Sequence, residues 1–176
     1  MKLTHLNIPE VIVIEPDIYE DERGFFYEAF NQKEFNQLLG QEICFVQDNH
    51  SQSTKGVLRG LHYQEPPLSQ AKLIRVLSGE IFDVAVDIRK NSENYGHWVS
   101  EILSDDNKKQ IWIPEGFAHG FLVLSDKAEI IYKTTNYYSP VHERCIKYND
   151  ARINIMWPKM NEYILSRKDL NGQGLK

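Results

Sequence analysis

The chain has 176 residues, with a hydrophobic fraction of 41% and a charged fraction of 26%, so its length and make-up predict one globular domain over residues 1–176. With 25 acidic against 20 basic residues, the formal net charge of -5 excludes a nucleic-acid surface, which needs a basic field. The apolar run Val11 to Ile14 is far too short for a membrane span, and Cys44 and Cys145 fit neither a metal spacing nor a disulfide framework; the expected setting is the cytoplasm.

Val11 to Ile14 reads as a short strand closed by Glu15-Pro16-Asp17. Asp21-Glu22-Arg23-Gly24 is a turn, and Phe25 to Phe30 an aromatic strand with Phe26 and Glu28 on one face. Asn31 caps the clearest helix, Glu34 sits where a capping-box acid belongs, Phe30 and Phe35 have staple spacing, and Gly40 ends it. From Cys44 onward the chain reads as short strands between turn residues. The candidates are Cys44 to Gln47, Val57 to Tyr63, Lys72 to Ser78, Ile81 to Ile88, Gly96 to Leu103, Lys109 to Ile113, Gly120 to Leu124 and Ile130 to Thr135. Many short strands at such intervals predict an all-β fold, an antiparallel sandwich or barrel with a jelly roll as one option. In the tail, Ser166 and Asp169 have capping-box spacing. Asn171-Gly172-Gln173-Gly174 follows no strand and opens no helix, so it is no dinucleotide fingerprint.

The stretch Gly56 to Gln64 carries Arg59 and His62 among aliphatic residues. Strict alternation sends the two to opposite faces, but Gly60 between them marks a bulge that could bring both to one cavity. A satisfied core histidine beside a surface arginine is the plainer alternative. A second such stretch, Pro114-Glu115-Gly116-Phe117-Ala118-His119, holds the P-x-G-x-x-H motif of cupin jelly rolls. The earlier H-x-H of metal cupins is missing, since His62 stands between Leu61 and Tyr63, so three imidazoles and a carboxylate cannot be assembled. No metal site and no cofactor are expected.

Several long runs carry a resemblance to a known family. They are Gln47 to Ser51, Lys55 to Gln64, Phe82 to Arg89, Ile113 to Phe121, Tyr132 to Thr135 with Tyr137-Tyr138, His142 to Cys145, and Leu165-Ser166 with Lys168-Asp169. In this order they resemble the dTDP-4-dehydrorhamnose 3,5-epimerases, cupin-like jelly rolls, from about Val13 to Asp169. The resemblance implies epimerisation at carbons 3 and 5 of dTDP-4-dehydro-6-deoxy-D-glucose without a cofactor. The ketone at carbon 4 makes the hydrogens on both carbons acidic, and each inversion needs a base on one face and an acid on the other.

The same resemblance assigns roles. His62 is the base, suited by an ordinary pKa near 6.5, and Asp169 orients it. Lys72 holds the enolate oxygen, and Tyr132 reprotonates from the opposite face. Arg23, Arg59 and Lys168 contact the diphosphate and sugar. Glu28, Gln47 and Asn49 hydrogen-bond the thymidine portion, and Phe26 and Tyr138 stack on the base. Asp48 joins that run, with a purely structural role as its alternative, and His119 and Glu143 lie near the sugar and diphosphate. On residue type alone, Lys72 reads as a strand-end surface lysine, Tyr132 as a core tyrosine, Asp169 as a cap and His119 as a buried histidine. Asp83, facing with Ile81 and Ala85, is a buried carboxylate that could pair with Lys72. Family members are homodimers whose N-terminal strands cross into the partner's site, so Arg23, Phe26 and Glu28 are expected to serve the neighbouring subunit. The remaining alternatives are a single-site 3- or 5-epimerase, a non-catalytic sugar-nucleotide-binding cupin and a metal cupin oxygenase.

Overall fold

The computed structural model describes residues 1–176 as two antiparallel sheets, a small hairpin and two short helices. The first sheet runs β1 (Lys2–His5), β2 (Ile12–Glu15), β10 (Gln110–Ile113), β7 (Lys72–Ser78), β12 (Lys127–Thr134), β5 (Gln47–Thr54). The second runs β13 (Glu143–Cys145), β6 (Leu58–Gln64), β11 (Phe117–Val123), β8 (Glu80–Asp87), β9 (Trp98–Ser104). β3 (Tyr19–Asp21) and β4 (Gly24–Phe26) pair only with each other. This is the expected jelly-roll sandwich, with neighbours in each sheet that are far apart in sequence. No helix is long and apolar enough to cross a membrane.

Three apolar layers explain why the strand alternation is hard to read. Between the sheets, Ile74 and Val76 of β7, Ile111 and Ile113 of β10 and Ile130 of β12 meet Ile81 and Ala85 of β8 and Phe117 and Phe121 of β11. Outside the first sheet, helix α1 (Gln32–Leu39) lays Phe35 on Ile12, Ile14, Leu73 and Trp112. Outside the second, the C-terminal segment lays Ile146, Ile153, Ile155 and Leu175 on Leu61, Val84, Val86 and Ala118. The central strands are therefore covered on both faces and carry nearly continuous apolar runs. Burial of this apolar surface is the main stabilising term.

Helix α1 forms where its signals lie. The Asn31 side chain accepts from the N–H groups of Lys33 and Glu34, the rings of Phe30 and Phe35 are 5.6 Å apart, and Gly40 closes the helix with φ of +65°. Two expectations are corrected. The aromatic strand Phe25 to Phe30 ends at Phe26, leaving Phe25 and Phe26 exposed on the hairpin. Cys44 to Val46 form no strand; the strand is the polar run Gln47–Thr54 that follows. That edge strand lacks apolar residues because its inner face, led by Gln47 and Asn49, borders a polar cavity.

Candidate active site

Strand β6 breaks register against β11. His62 pairs with His119 and Arg59 with Phe121, so Gly60 and Leu61 together oppose the single Gly120. The expected bulge is present. Gly60 takes φ of +130°, and a Cβ there would lie 2.5 Å from the Gly120 Cα, so glycine alone fits. Beyond the bulge His62 faces a cavity of about 250 Å³, bordered also by Gln47, Asn49, Tyr63, Gln64, Gln70, Lys72, Tyr132, Tyr138 and Glu143. Arg59 stays exposed, with Nε donating to Ser53 Oγ at 3.1 Å. A larger depression of about 760 Å³ over α1 is lined by no hydrophobic residue and by none of these side chains.

The carboxylate of Asp169 reaches His62 because the tail is fastened to β6. Leu58 N–H donates to Ile164 O at 3.0 Å and Ile164 N–H to Gly56 O at 2.8 Å. Helix α2 (Arg167–Leu170) then starts with a closed capping box between Ser166 and Asp169. The two carboxylate oxygens divide the work: Oδ2 accepts from Ser166 Oγ at 2.6 Å, while Oδ1 accepts from Gly60 N–H at 3.3 Å and lies 2.7 Å from His62 Nε2. Cap and partner thus coexist in one residue. The carboxylate stands off the axis of the ring N–H, so the contact with His62 is close but bent. Burial acts to raise the Asp169 pKa, but the contacts with His62 and Ser166 outweigh it and hold the carboxyl below its ordinary value.

Lys72 faces His62 from the other sheet. Its ammonium is buried, with the His62 carbonyl at 3.4 Å as its hydrogen-bond partner. Desolvation pushes its pKa down to about 8, against the opposing pull of Asp83 and Glu143. Tyr132, on β12 of the same sheet as Lys72, borders the cavity, and burial raises its phenol while Arg59 acts the other way. His62 and Tyr132 therefore approach the cavity from opposite sheets.

At the mouth, Tyr138 Oη donates to Glu143 Oε2 at 2.7 Å, and the Lys168 ammonium bonds the other Glu143 oxygen. Burial acts to raise Glu143, but Lys168 and Tyr138 bring its pKa below the ordinary value. The Tyr138 loop is pinned by two glutamines. Gln64 Nε2 donates to Leu68 O at 2.6 Å and Tyr137 O at 3.2 Å, and its Oε1 accepts from Ser139 N–H at 2.7 Å. Gln47 Oε1 accepts from Tyr138 N–H at 3.0 Å.

Several expected residues lie elsewhere. Asp48 points to solvent on the outer face of β5 and pairs with Lys133 at 3.0 Å, because alternation turns it away from Gln47 and Asn49. His119 is buried behind the cavity wall, with Nε2 donating to Asp83 Oδ2 at 2.8 Å. That contact corrects the Asp83–Lys72 ion pair; Asp83 reaches Lys72 only by longer-range attraction. Arg23 pairs with Asp21 on the exposed hairpin, and neither it, Phe26 nor Glu28 borders this cavity. The sequence reading missed Gln64, although it stands two residues from His62 on the same strand. It also missed Gln70, for which no sequence signal exists.

The ligand atoms of His62, Cys145 and Asp169 lie within 4.8 Å of one another. Burial and the Asp169 charge push the Cys145 thiol up to about 11, which makes it a poor metal ligand at neutral pH.

A jelly-roll sandwich whose cavity holds an imidazole from one sheet and an ammonium and a phenol from the other is the architecture of a cupin-like isomerase. Comparison with known proteins gives the particular family. Residues 5–176 match the model of the dTDP-4-dehydrorhamnose 3,5-epimerases, and the chain belongs to that family. It is 59% identical over 173 residues to the dTDP-4-dehydrorhamnose 3,5-epimerase of Shigella flexneri, covering 98% of this chain and 95% of that one. A solved epimerase from Legionella pneumophila, in complex with dTDP-4-keto-L-rhamnose, superposes with a TM-score of 0.96 at 53% identity over 99% of this chain and 92% of that one. A 3'-monoepimerase from Streptomyces bikiniensis, in complex with dTDP-quinovose, superposes with a TM-score of 0.91 at 33% identity, over 97% of this chain and 86% of that one. The chain is thus an isomerase of the dTDP-4-dehydrorhamnose 3,5-epimerase family.

Proposed function

We propose that His62, Lys72, Tyr132 and Asp169 carry the epimerisation, with the sugar held between the two sheets. The observation that carries this reading is the opposed placement of His62 and Tyr132 around one cavity, since inversion requires base and acid on opposite faces of the ring. Nε2 of His62 is sealed against Asp169, so Nδ1 is the nitrogen that takes the proton from carbon. The Asp169 carboxylate stabilises the imidazolium that forms. As the C–H bond breaks, its electron pair moves into an enolate whose oxygen is held by the Lys72 ammonium. Tyr132 then delivers a proton to the same carbon from the other side; His62 passes its proton to water and the Tyr132 phenolate takes one back from water before the same steps run at the second carbon.

The nucleotide lies across the mouth, where Tyr138 stacks on the base, Gln47 and Asn49 hydrogen-bond the thymidine portion, and Glu143, Lys168 and Arg59 frame the diphosphate. His119 lies behind the cavity wall, bonded to Asp83, and supports the sugar site from there, and Asp48 has a structural role with Lys133. Arg23, Phe26 and Glu28 serve the site of a second subunit in a homodimer. The exposure of Phe26 (71%) and Phe25 (57%) supports that arrangement, because such aromatic surface suits an interface. The working compartment is the cytoplasm. Incubation of the keto sugar nucleotide in heavy water, followed by mass spectrometry, tests the reading. Two deuteria are expected with the native enzyme and none with His62→Asn; incorporation by that variant at the native rate would overturn the assignment.

A further inference from the structure

Asp83 is a carboxylate with 0% exposure, and one of its oxygens, Oδ1, has no hydrogen-bond partner. Its neighbours on the same face of β8, Ile81 and Ala85, belong to the apolar core between the sheets. An aliphatic residue would pack there without the cost of a buried, half-satisfied charge. His119 Nε2 accounts for Oδ2 alone. From the opposite sheet Lys72 enters the same space, on the face of β7 that carries Ile74 and Val76, with a single long contact to a carbonyl. A buried anion and a buried cation, each short of partners, thus confront one another across the sandwich.

We propose that Asp83 is a positioning residue of the epimerase: it holds the proton on Nε2 of His119 and supplies the negative charge that keeps Lys72 an ammonium. The inference rests on the reading of Lys72 as the cation that holds the enolate oxygen. The other charged or titratable groups around Lys72 are Glu143 on β13, Lys168 on α2, the imidazoles of His62 and His119, and the phenols of Tyr63, Tyr132 and Tyr138 that border the same cavity. Its register neighbours on β10 and β12, Ile113 and Thr134, are uncharged. Glu143 also pulls on Lys72, but Lys168 and Tyr138 bond both of its oxygens, whereas Asp83 keeps one oxygen without a partner and has the larger influence on Lys72.

The test is a titration of Lys72 by NMR in protein carrying ¹³C-labelled lysine, in the native enzyme and in Asp83→Asn, with Lys72→Arg assigning the signal. Asp83→Ser, which keeps a hydroxyl near His119 and drops the charge, serves if the asparagine variant fails to fold. The Lys72 midpoint is expected to fall by about one pH unit or more without the carboxylate. An unchanged midpoint overturns the proposal and leaves Asp83 a packing residue. The pH profile of kcat/KM is recorded in parallel, and its alkaline limb is expected to move with the midpoint. A midpoint that falls while the limb stays in place supports the action of Asp83 on Lys72 and instead removes Lys72 from the enolate.

Discussion

His62 belongs to a central strand and Asp169 to the last helical turn, yet Nε2 of one lies 2.7 Å from Oδ1 of the other. Replacing either should cost about 10²- to 10⁴-fold in kcat, the range for a lost general base or its orienting partner. Steady-state assays of His62→Asn and Asp169→Asn check this, and a double variant no worse than either single one would identify a single working unit.

The same pair has a stability signature. Burial would raise the Asp169 carboxyl, but His62 and Ser166 hold it below its ordinary value. A depressed carboxyl stabilises the fold fully above its unfolded pKa near 3.9, and that stabilisation is lost as pH falls through the lower folded value. Urea midpoints measured from pH 6 to pH 3 should therefore decline on the acid side, and less steeply in Asp169→Asn.

Burial lowers the Lys72 pKa to about 8. If Lys72 holds the enolate oxygen, as proposed, its ammonium disappears as pH rises through that value and kcat/KM should fall above about pH 8. Lys72→Met should abolish that limb and cost about 10²- to 10³-fold, measured at the pH optimum of the native enzyme.

Gln64 fixes the backbone on both sides of Tyr138. Gln64→Ala should release the loop and weaken dTDP binding about tenfold, roughly 1.4 kcal/mol, while kcat changes little. Calorimetric titration with dTDP and a comparison of KM against kcat separate this from a loss of chemistry.

Gly60 can be tested through folding. With φ of +130° and a would-be Cβ 2.5 Å from the Gly120 Cα, Gly60→Ala should destabilise the protein by about 3 kcal/mol or more, read from urea unfolding. The refolded variant should also lose activity, because the bulge aims His62.

The repeated short apolar runs with turn residues between them specified an antiparallel sandwich or barrel, and Asn31, Phe35 and Gly40 marked α1 closely. The polar strand Gln47–Thr54 was not legible, since its pattern is that of a loop unless its inner face is known to border a polar cavity. The glycine at 60 announced a bulge, and the long motifs carried the family resemblance.

What the sequence by itself determined was the fold class, the family and the residue types of the site, because these depend on local spacing and on motif order. Only the tertiary structure decided which of those residues share a cavity. It showed that Asp169 can cap a helix and meet His62 with different oxygens, that Asp48 faces away while its neighbours face in, and that Asp83 bonds His119 rather than Lys72. Each of these depends on strand register and on how two sheets are stacked, and long-range burial settles both.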